Sequence, residues 1–159
     1  MNKILDLHFP VARPPWTGLG RRLESMCRKA LYEFEMIEGG KMAVALSGGK
    51  DSLTLLYLLK AISGRGFPEV ELCAVHVGGA FSCGAGIGEG FLKGICNELG
   101  VEFVSCEAKQ EREKLECYSC SRQRRSLIFE AAKKVGATTV AFGHHRDDSV
   151  QTLMMNLQY

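Results

Sequence analysis

The chain has 159 residues, enough for one domain with a hydrophobic core and too few for two of ordinary size. Apolar residues make up 46% and charged residues 24%, which excludes a wholly disordered chain. A formal charge of +2 nominates no partner by itself, and no run approaches the roughly 18 consecutive apolar residues that cross a bilayer. The first eight residues place Asp6 inside a short apolar run and lack a small-residue cleavage site, so no export signal is expected. The expectation is a soluble, cytoplasmic protein without membrane contact.

Residues 1–18 hold Pro10, Pro14 and Pro15 without a sustained period and predict an extended arm; residues 19–159 predict one domain. From Leu19 the apolar positions 19, 23, 26, 30, 34 and 37 mark one face of a helix, stopped by Gly39 and Gly40. The run 41–46 reads as a buried strand entering Ser47-Gly48-Gly49. A helix over 51–62 ends at Gly64, Gly66 and Pro68, and 70–77 forms a second strand. The glycine-rich stretch 78–90 has no defined form. A helix over 91–99, Gly100 and a third strand over 101–106 follow. Ser121 reads as the N-cap of a helix to Val135, and a fourth strand spans 138–142. The last helix runs from 146 with Val150, Leu153, Met154 and Leu157 as its apolar stripe. Such alternation predicts an α/β fold, a parallel sheet with helices on both faces. Tyr159 ends the chain without a natural cap, as in a fragment or a shortened relative of a longer protein.

Seven cysteines (27, 73, 83, 96, 106, 117 and 120) are many for this length. Without an export signal they are expected reduced. Cys73 and Cys106 sit in apolar runs and behave as small hydrophobes. Cys117 and Cys120 differ, because two intervening residues let both sulfurs face one metal. On its own the pair is half a metal site, and a zinc site or a redox pair remains open on that spacing. Residues 1–30 carry six Lys or Arg against two acids, and 121–134 carry five against one. These segments are expected to build a polyanion surface from different parts of the chain.

Ser47-Gly48-Gly49-Lys50-Asp51-Ser52 stands between a predicted strand and the helix it opens. Open α/β sheets bind ligands there, and the helix dipole attracts anions. Gly48 and Gly49 let the backbone approach a phosphate, the Ser47 and Ser52 hydroxyls can donate to it, and Lys50 adds charge. The spacing is not that of a Walker loop. Beyond the fourth strand, Gly143-His144-His145-Arg146-Asp147-Asp148 offers two carboxylates at a helix start. They repel unless a cation or capping N–H groups intervene, and a Mg²⁺ shared with phosphate oxygens would suit Asp148. His144 and His145 are placed to hydrogen-bond phosphate or an activated base.

The hexapeptide 47–52 is the signature of the PP-loop ATP pyrophosphatase superfamily. With GHHRDDSVQT at 143–152, the CYSCSRQRR segment at 117–125 and Glu35-Met36-Ile37-Glu38, the chain resembles the tRNA 2-thiocytidine synthetase (TtcA) family from about Leu19 to Leu157. The resemblance implies that residues 47–52 bind the pyrophosphate end of ATP, with Asp51 and Asp148 catalytic. It implies that Cys117 and Cys120 ligate a 4Fe-4S cluster and deliver sulfur. A third cysteine ligand would lie past Tyr159; Cys83 and Cys27 are the candidates within the chain. Ala45 and His76 would edge the adenine with backbone groups, and Gly143 and His144 would complete the nucleotide site. The expected partners are tRNA, contacted by Arg122, Arg124, Arg125, Arg21, Arg22, Arg28 and Lys29, and a sulfur donor (sulfide or a cysteine desulfurase relay). A homodimer is expected. The implied reaction adenylates the C2 carbonyl of a tRNA cytidine and replaces its oxygen with sulfur. The rival readings are a uridine thiolase, a lysidine-type synthetase, a non-catalytic ATP- or tRNA-binding paralogue and a thiol redox protein.

Overall fold

Four parallel strands form one sheet in the order β3-β2-β1-β4: β1 is Lys41–Ala45, β2 Glu71–Gly78, β3 Glu102–Glu107 and β4 Ala137–Phe142. The helices between and beside them are α1 (Gly18–Glu33), α2 (Lys50–Ile62), α3 (Glu89–Leu99), α4 (Cys117–Lys134) and α5 (Arg146–Leu157). The structure, a computed structural model, describes residues 17–37, 39–79, 87–108 and 117–157, without the side chains of 117–119 and 155–157. Most of the predicted arm, at 1–16, and Cys83 lie outside the described residues. From β1 the chain steps outward to β2 and β3, then returns to β4 on the other side of β1. The strand order therefore reverses between β1 and β4, and a crevice opens there at the carboxyl ends.

The period of two along the strands divides the core. Met42, Val44, Leu72 and Ala74 face Leu31 of α1, Leu56, Leu59 and Ile62 of α2, and Leu92, Ile95 and Leu99 of α3. Ala43, Cys73 and Val75 face Ala131 and Ala132 of α4. Helices thus cover both faces, as the continuous apolar runs of β1 and β2 require. At the amino ends of the strands the Lys41 ammonium lies 3.0 Å from Glu71 and 2.5 Å from Glu102, tying β1, β2 and β3 together. Those hydrogen bonds, to Glu102 first and Glu71 second, hold Lys41 above the ordinary lysine value.

Two elements depart from the expectation. Helix α1 ends at Glu33, with Phe34 as its cap and Glu35 at φ +48°. Most of its predicted face does not meet the core: Leu19, Leu23 and Met26 are 69%, 37% and 58% exposed, and of that line Ile37, beyond the helix, packs against it. The contact runs instead through Cys27 and Leu31, while Arg28 reaches the Gly66 carbonyl and the Phe67 ring, so only the carboxyl half of α1 settles on the domain. Helix α4 starts at Cys117 rather than after Ser121. No glycine or proline separates Cys117 from Ser121, so nothing stops the helix from extending over the cysteine pair. Among the described residues no helix is long and apolar enough to cross a membrane.

Candidate nucleotide site

The crevice is built first from the loop after β1. The Leu46 N–H donates to Val75 O at 2.8 Å, the last ladder bond before the chain turns. Gly48 takes φ +89°, which calls for glycine, and Ile87 packs over it, its Cβ 3.4 Å from where a side chain would begin. The Gly49 N–H donates to Ser47 Oγ (3.2 Å), Ser52 Oγ donates to Gly49 O (3.0 Å), and the two serine oxygens lie 3.1 Å apart. Ser52 is only 3% exposed, so its hydroxyl organises the loop from beneath. Gly49 caps α2 without a side-chain bond to its amides, which leaves the positive helix end for an anion. Lys50 and Asp51 stand exposed at the rim, with the ammonium 3.0 and 3.2 Å from the carboxylate oxygens.

The second wall follows β4. A Cβ on Gly143 would lie 2.7 Å from both Cα and N of Ser52, so the glycine brings this turn against the first turn of α2. Two residues on, the His145 N–H donates to Asp148 Oδ2 at 2.7 Å, and the Asp148 N–H donates back to His145 O. Asp148 therefore caps α5 in the manner of a capping box. Its side-chain contacts with the His145 N–H and ring both use Oδ2. Asp147 is exposed beside it.

Helix α4 supplies the third wall of a cleft of about 260 Å³, floored by Ala45, Val75 and Val77. Ser121, Arg124 and Arg125 line it from the helix, and Phe142, Gly143 and His144 from the opposite side. Arg124 donates to Val77 O at 3.3 Å, and Gly79 lies so near Ala108 that a Cβ would stand 3.2 Å from its carbonyl oxygen. The strand period turns His76 away from this cleft. Its Nδ1 donates to Leu46 O at 2.7 Å, which fixes the Nδ1–H form, and its ring lies 6.4 Å from that of Phe103. Its side chain supports the loop from the far face.

Cys117 and Cys120 occupy the first turn of α4, beside the cleft-lining Ser121. Cys120 is half-buried there. Cys27 packs against the core on the opposite face of the sheet, and burial raises its thiol pKa. The structure does not bring it to the pair. Among the described residues no group of three or more His, Cys, Asp or Glu side chains is gathered to hold a metal ion. The basic segments are likewise divided. Arg28 is bound to Glu24 at 2.8 and 3.0 Å, and α1 and α4 lie on opposite sides of the sheet.

Sequence reasoning missed the apolar floor and Phe142. The signal for both was the strand period: in β4, Phe142 falls two residues after Val140, which faces α4. Ile87, which closes over Gly48, carried no signal, because it sits in the glycine-rich stretch.

The profile of a family described as the PP-loop domain (ATP_bind_3) matches residues 20–159. Curated relatives named tRNA-cytidine(32) 2-sulfurtransferase include proteins of Ralstonia nicotianae and Colwellia psychrerythraea. The first is 39% identical, over 87% of this chain and 46% of the relative. The second is 35% identical, over 94% of this chain and 50% of the relative. Among solved structures, the U34-tRNA thiolase NcsA from Methanococcus maripaludis with its [4Fe-4S] cluster superposes with a TM-score of 0.73 at 27% identity, covering 86% of this chain and 48% of that one. The chain spans about half the length of the curated relatives it matches.

Proposed function

Because the chain belongs to the PP-loop domain family, we propose that it is the ATP-binding part of a cytoplasmic tRNA 2-thiocytidine synthetase. The observation that carries this reading is one cleft with three walls: the serine–glycine loop, the Gly143 turn, and the helix that bears the cysteine pair. No single wall would specify the chemistry. What supports the reading is that the loop, the Gly143 turn that leads to Asp148, and the helix that begins with the cysteine pair all border one small cleft.

In this reading residues 47–52 hold the pyrophosphate end of ATP, with Lys50 at the rim and the α2 amides facing the charge that grows on the leaving group. Asp148 and Asp51 would hold a Mg²⁺ that offsets the charge of the phosphates. The adenosine lies over Ala45, against the loop that His76 supports from behind. The C2 oxygen of a tRNA cytidine attacks the α-phosphorus and pyrophosphate leaves. Sulfide then adds at C2 and AMP departs with the original oxygen, so the base exchanges one oxygen for one sulfur. The residues fit an iron–sulfur cluster in part, since Cys117 and Cys120 supply two thiolates on one helical turn. A cluster bound there would supply an iron site for the incoming sulfide. Its remaining ligand comes from outside the described residues. A sulfur donor and a second copy of the chain complete the proposed assembly.

The test is genetic and chemical. Deleting the gene and quantifying thiolated nucleosides in digested tRNA should show selective loss of 2-thiocytidine. The intact gene should restore it and Cys117→Ala should not. Unchanged 2-thiocytidine in the deletion strain overturns the reading.

A further inference from the structure

Three rings and a guanidinium gather where the cleft opens. His144 stacks on Phe142, with centroids 5.6 Å apart and planes 11° from parallel. Phe129 meets the same Phe142 ring edge-on at 5.9 Å and 67°, and the Arg125 guanidinium carbon lies 6.0 Å from its centroid. His144 is exposed and Phe129 is 49% exposed, so planar surface faces solvent beside a positive charge. Unpaired nucleobases stack on such surfaces, and a guanidinium next to them suits the phosphate of the same nucleotide.

We propose that Phe129, Phe142 and His144, with Arg125 beside them, form the stacking platform for the unpaired pyrimidine that accepts sulfur. This deepens the tRNA reading above and rests on it. Phe142, His144 and Arg125 line the cleft of about 260 Å³ that the reading above gives to the adenosine of ATP, and Phe129 lies outside that lining, so the acceptor base would approach the phosphates from the Phe129 side. Gly143 fixes the direction of approach. It joins Phe142 to His144 and touches the first turn of α2, which sets the platform one residue from the anion site. The base must leave its own stack to reach the phosphorus, and the platform replaces the stacking it loses. Arg125 lines the cleft from the other side, where it can take the flanking phosphate.

The test is photocrosslinking of the full chain to an anticodon stem-loop RNA carrying 5-iodocytidine at nucleotide 32, the position named for the relatives, with adducts mapped by mass spectrometry. ATP affinity is measured in parallel by calorimetry. Adducts should fall on Phe129, Phe142 or His144. Phe129→Ala should weaken RNA binding about tenfold with ATP affinity unchanged, and Phe129→Tyr should restore RNA binding. Tight RNA binding with adducts confined to other segments overturns the platform and leaves the tRNA reading standing. A loss of ATP affinity in Phe129→Ala, with RNA binding intact, would show that adenine stacks there instead. Failure of the unmodified chain to bind the RNA at low salt removes both the tRNA reading and the platform.

Discussion

Gly143 rests on the backbone of Ser52 with no room for a side chain: a Cβ would stand 2.7 Å from both the Cα and the amide nitrogen of Ser52. This contact joins the end of β4 to the start of α2 across the point where the strand order reverses. An alanine at 143 must push the two turns apart, because the atoms it meets belong to backbone and cannot rotate away. Gly143→Ala is expected to cost about 1–3 kcal/mol of stability, as overpacking does. It should also weaken ATP binding at least about tenfold, which is about 1.4 kcal/mol. Calorimetric titration with Mg-ATP and a thermal melt check the two effects separately. Wild-type affinity in a destabilised variant would show that the seam supports the fold without shaping the site.

Ser52 is expected to matter for the loop before any ligand arrives. Its buried hydroxyl donates to Gly49 O and lies 3.1 Å from Ser47 Oγ. Ser52→Ala leaves a carbonyl without its donor, at a cost of about 1–3 kcal/mol. Ser47→Ala, at an exposed position, should cost less, about 1 kcal/mol. Urea unfolding of both variants orders them. Equal losses would mean that the loop is not organised around the buried serine.

The strands and the phosphate loop were legible because their signals are local: apolar runs for β1 and β2, and glycines at turns that need them. The parallel architecture followed from alternation alone. What was not legible depends on which neighbour each residue meets. The 19–23–26 line of α1 has the spacing of a buried face, yet the helix leans on the domain through Cys27 and Leu31. Asp148 reads from sequence first as a Mg²⁺ ligand and second as an acid favoured at a helix start, and its bond to the His145 N–H shows the second role. Gly143 was singled out within a motif. The reason only glycine fits there is a contact with a residue 91 positions earlier.

Lys41 offers a test of the sheet far from the cleft. It bridges Glu71 and Glu102 at the amino ends of three strands. Lys41→Met should lower stability by about 1 kcal/mol near neutral pH, the scale of partly exposed ion pairs. The folded state holds the lysine proton more tightly than the unfolded chain, whose lysine titrates at about 10.5. The contribution is therefore complete below that pH and declines above it, as the unfolded chain loses its proton first. Urea denaturation at pH 7 and above pH 10.5 should show the gap between wild type and variant narrowing. A gap that widens at alkaline pH would contradict the bridge.

The cysteines should separate by environment under alkylation. Burial pushes Cys96 up to about 11 and raises Cys73 and Cys27 above the ordinary thiol value. The thiolate is the nucleophile, so at pH 8 these three are held protonated, and Cys73 and Cys96 are also wholly enclosed. Cys120 is half-buried in the first turn of α4, outside both core clusters. Brief iodoacetamide treatment at pH 8, read by peptide mass spectrometry, should label Cys120 first, Cys27 slowly, and Cys73 and Cys96 only on unfolding. Protein blocked at Cys120 should then fail to take up iron and sulfide under anaerobic reconstitution, by metal analysis. Equal labelling of Cys96 and Cys120 would mean that α3 opens as readily as the first turn of α4. Full iron uptake by the blocked protein would remove Cys120 from the cluster.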